Sequence, residues 1–147
     1  MITKVMKVMR ERSASVEETR ALGARLARLA EPGDVFSFDG DLGAGKTEFV
    51  RGFVEALAAG ADVRSPTFSI VNTYGTPKFP VYHFDFYRIE DPREFRSVGL
   101  DEYLNGDGVC LIEWGSKFLD VLPPCVKFIN FSEGGESVRI IESHFMF

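Results

Sequence analysis

The chain is poor in basic residues, cysteine and histidine. Lysine and arginine number 17 against 22 acidic residues, a formal net charge of −5. Binding a nucleic-acid backbone demands positive surface, because each phosphate carries a negative charge, so this balance argues against strong direct nucleic-acid binding. Lys4, Lys7, Arg10 and Arg12 make one locally basic stretch, and an edge strand with solvated cationic side chains accounts for it. Cys110 and Cys125 are the only cysteines and form no C-x-x-C pair. Cys110 lies in an apolar run and reads as a small core residue; Cys125 follows two prolines, a setting compatible with either burial or exposure. This usage argues against a secreted disulfide scaffold and for a reducing cytoplasm. There is no signal-peptide core and no apolar stretch of about 18 residues, which argues against export and membrane spanning. Repeats, low-complexity runs and linkers are absent too. The 147 residues therefore read as one domain, 1–147. At 45% hydrophobic content and with 14 phenylalanines, the chain can bury an aromatic-rich core without disulfides or structural metal.

What the chain does have is Gly40-Asp41-Leu42-Gly43-Ala44-Gly45-Lys46-Thr47, which satisfies every fixed position of the phosphate-loop pattern G-x-x-x-x-G-K-[ST]. The apolar run Val35-Phe36-Ser37-Phe38 before it reads as a buried strand. Phe49, Val50, Phe53, Val54 and Leu57 after it recur at helical spacing. Strand, glycine-rich loop and helix together form the context that such a site needs. Glycines let successive N–H groups turn inward as an anion nest. The helix start adds unpaired amides and the positive end of its dipole. Lys46 can reach the β- and γ-phosphates, and the Thr47 hydroxyl can bind Mg²⁺.

Elsewhere the pattern alternates between helix and strand. Residues 2–9 alternate loosely as a first strand. Ser15 and Glu18 have capping-box spacing, and Val16, Thr19, Leu22, Leu26 and Leu29 follow on one helical face. Glu31-Pro32-Gly33 stops that helix. Residues 68–74 are β-rich, 75–80 look like a hairpin loop, and 81–88 alternate with period two. Asp91-Pro92 opens a short helix through Val98, and 101–104 form another short turn. Residues 109–114 read as a buried strand, and 127–131 with 137–142 as a terminal hairpin around Gly134-Gly135.

A nucleotide hydrolase also needs an acid for the metal or the attacking water. Glu113 closes an apolar strand, the usual form of that element in phosphate-loop proteins, although a surface glutamate at a strand end has the same pattern. Asp85 sits mid-strand, where aspartate is unfavourable. It shares a face with His83 and Tyr87, and needs a metal, amide partners or an ion pair with Arg88 or Arg96. His83 alone reads as a hydrogen-bonded strand histidine. Ser65-Pro66-Thr67 puts two hydroxyls on a loop after the phosphate-loop helix, where switch regions sense a γ-phosphate and where ordinary turns also occur. Trp114 can stack on a base or simply pack.

Taken in order, these elements resemble the TsaE family (formerly YjeE), bacterial ATPases required for threonylcarbamoyladenosine (t6A) formation in tRNA. The resemblance runs from about Glu18 to the last strand. It is carried by Glu18-Thr19 with Leu22-Gly23, the run Asp39 to Thr47, Arg51-Gly52-Phe53, Ser65-Pro66-Thr67-Phe68, His83-Phe84-Asp85-Phe86-Tyr87-Arg88, Gly99 to Tyr103, and Ile112-Glu113-Trp114. It implies an α/β, phosphate-loop NTPase-like three-layer fold, with a central mixed, mostly parallel sheet flanked by helices. It also implies slow Mg²⁺-dependent ATP hydrolysis coupled to a tRNA-modifying complex of the TsaB/TsaD type. Under it Lys46, Asp85 and Glu113 are the catalytic set, and Thr47, Glu113 and Asp85 the metal set. Residues 40–48, Ser15, Val16 and Trp114 hold ATP, and Ser65, Pro66 and Thr67 form the switch-like loop. Two departures stand out. Glu48 replaces a frequent threonine and would repel the α-phosphate unless turned away. Gly115-Ser116 replaces Pro-Glu after Trp114. Other classes share the loop. A small nucleotide or metabolite kinase needs an arginine-rich lid, for which Arg88, Arg93 and Arg96 are the available residues. A non-catalytic nucleotide-binding adaptor needs binding alone. A GTPase would carry Asn-Lys-x-Asp, which does not occur.

Overall fold

The computed structural model describes residues 8–40, 44–66 and 70–147. Its elements in chain order are β1 (Met9–Ser13), α1 (Val16–Leu29), β2 (Val35–Gly40), α2 (Ala44–Leu57), β3 (Val71–Tyr74), β4 (Val81–Asp85), α3 (Arg93–Val98), α4 (Leu100–Leu104), β5 (Val109–Glu113), β6 (Lys127–Gly135) and β7 (Val138–Ser143). A kinked 3-10 segment, Gly115–Val121, follows β5. The strands form one seven-stranded sheet in the order β1-β7-β6-β2-β5-β4-β3.

The centre of this sheet follows from composition. In β2, Val35 to Asp39 are all buried, and so is every residue of β5. Strands covered on both faces read as continuous apolar runs and favour parallel pairing. β2 pairs parallel with both β5 and β6, and β4 parallel with β5. The antiparallel pairs lie outside them, β3 with β4 on one side and β6-β7-β1 on the other. Alternation divides the core between the two faces. Phe36, Phe38, Val81, Leu111 and Ile129 join α1 and α2, whereas Val35, Phe84, Cys110 and Ile112 join α3 and α4. The expected α/β architecture with helices on both faces of a mixed sheet is thus present. Among the described residues no helix is long and apolar enough to cross a membrane.

One local expectation shifts and another is described only in part. The first strand is described over Met9–Ser13; residues 2–7 of the strand expected over 2–9 lie outside the described residues. Met9 and Ser13 bury one face of it, and it pairs from Met9↔Ser143 to Ser13↔Arg139 at the sheet edge; Lys4 and Lys7 lie outside the described residues. In α1 the buried stripe is Thr19, Leu22, Gly23, Leu26 and Ala27, so Val16 and Leu29 are exposed. The reason is the small residues. A Cβ on Gly23 would overlap the Phe49 carbonyl, and one on Gly52 would overlap the Arg20 carbonyl. The two helices therefore touch backbone to backbone, and α1 turns its small face to α2. The α1 cap fits the expected spacing: Glu18 N donates to Ser15 Oγ at 3.1 Å, while the Glu18 carboxylate accepts from Ala14 N, one residue before the cap, at 2.6 Å. Beneath α2, Phe38, Phe49 and Phe131 make ring contacts at 5.2–6.1 Å. Each such buried side chain contributes about 1.5–3 kcal/mol, which anchors the helix that starts at the phosphate loop. Both cysteines are free. Cys110 is buried, and burial pushes its thiol up to about 12, which makes it inert at neutral pH.

Candidate functional site

The site lies where four elements end. β2 delivers the chain to Gly40 and α2 begins at Ala44; Asp41, Leu42 and Gly43 lie outside the described residues. One turn into α2, Lys46 is 1% exposed. A buried ammonium must be partnered. This one donates to the Gly40 carbonyl at 2.9 Å and lies 4.4 Å from the centre of the Trp114 ring.

Thr47, the next residue, gathers the other parts. Its Oγ1 is 2.8 Å from Ser65 Oγ and 3.5 Å from Glu113 Oε1. The second distance is too long for a good hydrogen bond but puts hydroxyl and carboxylate side by side. Parallel pairing explains it: β5 runs beside β2 with Glu113 opposite Phe38, so its last residue emerges next to the loop. The other carboxylate oxygen, Oε2, is 2.7 Å from His83 Nε2. Pro66 is buried behind Ser65; Thr67 falls outside the described residues.

Asp85 stands opposite Glu113 in the β4–β5 register. Its Oδ1 accepts from Tyr87 N at 3.0 Å and its Oδ2 lies 3.4 Å from Arg88 Nε. Of the two arginines considered from sequence, it is Arg88 that meets it. Burial raises the Asp85 carboxyl above the usual aspartate range and the nearby Glu113 adds to this, while the Tyr87 amide, Arg88 and His83 oppose it.

Trp114 takes the left-handed conformation, φ 63°, uncommon for a bulky residue and costly enough to need support. The support is visible: its N–H donates to the Phe38 carbonyl at 2.8 Å. Its ring contacts Tyr87 at 5.4 Å as well as Lys46. Beyond it, a Cβ on Gly115 would overlap Ser37 Oγ. Ser116 N donates to Asp39 Oδ1 at 2.9 Å, and Ser37 Oγ to Asp39 Oδ2 at 2.8 Å.

Next to the loop is a cavity of about 370 Å³, lined by Ala14, Ser15, Val16, Thr19, Gly45, Glu48, Ser137 and Arg139. Ser15 and Val16 thus sit beside the start of α2. Ser137 and Arg139 were not foreseen. No motif marks them, and only the β6–β7 turn brings them across the sheet to the N-terminus of α1.

Thr47 and Glu113 offer oxygen donors, the ligand type of a hard divalent cation. Among the described residues no group of three or more His, Cys, Asp or Glu could hold a metal. That donor set fits magnesium taking its remaining ligands from phosphate and water, rather than an all-protein cage.

Residues 13–141 match the family model described as "Threonylcarbamoyl adenosine biosynthesis protein TsaE". The chain belongs to the TsaE family. It is 48% identical over 136 residues to the tRNA threonylcarbamoyladenosine biosynthesis protein TsaE of Bacillus subtilis, covering 92% of this chain and 85% of the relative. To the protein of the same description from Treponema pallidum it is 38% identical over 135 residues, covering 90% and 99%. The crystal structure of Bacillus subtilis YdiB superposes with a TM-score of 0.78 at 37% identity, covering 97% of this chain and 87% of that one.

The two positions read from sequence as departures, Glu48 and Gly115-Ser116, are both held by local contacts. Glu48 accepts from Arg20 Nε at 2.7 Å and Arg51 Nη1 at 2.5 Å. Burial alone would push its carboxyl up; the two guanidinium groups outweigh that and hold it below the usual glutamate range. Its charge is thus matched within the protein. Gly115-Ser116 keeps the loop after Trp114 tied to β2 through Ser37 and Asp39.

Proposed function

We propose that this chain binds Mg-ATP, hydrolyses it slowly, and supports t6A modification of tRNA through a cytoplasmic partner complex of the TsaB/TsaD type. The observation that carries the reading is the convergence on Thr47 of Ser65 and Glu113, from separate elements, beside the buried ammonium of Lys46. Family membership supports the tRNA-modifying context. The net charge of −5 is consistent with a partner supplying most of the tRNA-binding surface.

In this reading Lys46 exchanges the Gly40 carbonyl for the β- and γ-phosphates. Thr47 and Glu113 hold magnesium, which when bound neutralises charge on the phosphates. Asp85 lies close enough to Glu113 for the two carboxylates to feel each other. In this role Asp85 orients the attacking water. Ser65 and Thr67 form the loop that responds to the γ-phosphate. Ser15 and Val16, with the cavity they line, receive the base. Arg88 lies 3.4 Å from Asp85. An arginine supplied by a partner raises phosphoryl-transfer rates by about 10³–10⁵, so turnover of the isolated chain is slow.

The test is phosphate release from ATP by the purified chain, with and without magnesium and with and without a TsaB/TsaD-type complex. Slow release that requires magnesium and rises with the complex is expected. No hydrolysis in any combination, or phosphate transfer to a nucleoside or nucleotide acceptor instead of water, would overturn the reading.

A further inference from the structure

His83 has no place in the roles given so far, yet it is completely buried. It lies on β4 opposite Leu111 of β5 and Asn72 of β3, two residues along from Val81 and hence on the α2 face of the sheet. Its Nε2 is 2.7 Å from Glu113 Oε2, and among the described residues its Nδ1 has no hydrogen-bond partner. A polar ring buried with half its capacity unused is poor packing material. Its one contact falls on the carboxylate that stands beside Thr47.

We propose that His83 is a positioning residue: its Nε2–H grips one oxygen of Glu113 and so aims the other oxygen at the magnesium site. The inference rests on the ATPase reading above. The two carboxylate oxygens of Glu113 are divided, Oε2 to His83 and Oε1 to Thr47. Without the ring, the carboxylate is free to rotate away from the hydroxyl. The division also selects a tautomer. If Nε2 carries the hydrogen, Glu113 stays an ionised acceptor and Nδ1 is a bare lone pair. If Nδ1 carried it, Glu113 would have to be protonated and a buried N–H would be left without an acceptor. A ring carrying both hydrogens would also leave Glu113 ionised, but it too would bury an Nδ1–H with no acceptor among the described residues; only the first arrangement leaves Glu113 charged and able to ligate without that cost. Residues that orient a metal ligand are worth a substantial part of metal affinity or activity, and His83 fills that place here.

The experiment uses the full chain with His83→Gln, His83→Asn and His83→Leu, together with the nitrogen-15 spectrum of the wild-type histidine ring without nucleotide or metal. The glutamine amide nitrogen reaches the place of Nε2, whereas that of asparagine reaches only that of Nδ1. His83→Leu and His83→Asn are expected to raise the magnesium concentration for half-maximal hydrolysis, and lower kcat, by roughly 10- to 100-fold, with His83→Gln within about threefold of wild type. The KM for ATP at saturating magnesium moves little, and losses do not follow the Tm. The wild-type ring is expected as the Nε2–H tautomer. Equal behaviour of the three variants, losses that track Tm, or an Nδ1–H ring would overturn the proposal. Should the variants fail to fold, the tautomer decides alone. Absence of magnesium-dependent hydrolysis in the wild type would instead defeat the ATPase reading, and the ring spectrum keeps the two failures apart.

Discussion

Replacing Lys46 by methionine should separate stability from function. Methionine keeps an unbranched stem and fills irregular space, so the change removes charge more than volume. Lys46 is 1% exposed, bonded to the Gly40 carbonyl at 2.9 Å and set 4.4 Å from the Trp114 ring. Losing a hydrogen bond to a charged group costs about 1.5–3 kcal/mol, and losing the contact with the ring about 1 kcal/mol more. Relief from keeping an ammonium out of water is of similar size and opposite sign. The fold should therefore change by less than about 1 kcal/mol, or about 4 °C in Tm for a chain of this size. Nothing offsets the loss in the transition state, where removing one preorganised electrostatic group costs about 3 kcal/mol, roughly a hundredfold in rate. The assay is steady-state ATP hydrolysis beside thermal melting, with tryptophan emission as a third readout. Trp114 is the only tryptophan, so the ammonium above its ring is reported directly. Emission of the nucleotide-free variant should differ from wild type, and Mg-ATP should move wild-type emission toward that of the variant. Turnover within a factor of a few of wild type, in a variant that melts normally, would refute the assignment of Lys46 and with it the site.

Four further outcomes are expected. Glu113→Ala should retain nucleotide binding in a titration while hydrolysis falls about a hundredfold, the scale of other electrostatic losses at reacting phosphates; unchanged hydrolysis would remove Glu113 from the site. Glu48 is held below the ordinary glutamate value of 4.5 in the fold, so its stabilisation is complete above that value and is lost as pH falls through the lower folded one. Denaturant unfolding of wild type and Glu48→Gln across this range should show a stability gap that closes on acidification, and a gap that widened would contradict the sign. The same variant removes the anion that Arg20 and Arg51 share and a negative charge from the cavity wall, and should bind ATP more tightly; weaker binding would show that Glu48 itself contacts the nucleotide. Gly115→Ala should cost about 1–3 kcal/mol by overpacking against Ser37 and recover part of that in combination with Ser37→Gly. Additive losses in that double-mutant cycle would mean the two positions do not meet.

Most of the central fold was legible because its signals are local. The phosphate-loop pattern, the doubly buried strands at 35–38 and 109–113, and the capping pair Ser15 and Glu18 each announce themselves within a few residues. Glu113 could be linked to the loop from sequence only on the assumption that its strand runs parallel beside the loop's strand, and the β2–β5 register supplies that link. The misses have one physical source, contacts between distant segments. The face that α1 buries depends on the glycine-to-backbone contacts across to α2, which periodicity does not encode. Ser137 and Arg139 reach the cavity only through the β6–β7 hairpin. His83 read correctly as a hydrogen-bonded strand residue, but which acid it bonds depends on β4 lying beside β5.

Apart from His83 Nδ1, unpartnered among the described residues, the charged and polar groups of the site are matched within the protein before any ligand arrives. Lys46 has the Gly40 carbonyl, Thr47 has Ser65, Glu113 has His83, Glu48 has two arginines, and Asp85 has the Tyr87 amide and Arg88. Buried polar networks are stable only when satisfied, and this matching lets the fold hold so many functional groups together. Under the proposed function it also makes nucleotide binding an exchange. Lys46 and Thr47 would release internal partners to take phosphate and metal, so part of the binding energy would be consumed in the exchange. Asp85 and Arg88 hold each other at the edge of the site, and a partner that engaged Arg88 would remove a cation from Asp85 at the same stroke. Under the proposed function, weak coupling of the isolated chain to ATP and stronger turnover in a complex would both follow from one arrangement of charges, without any change of fold.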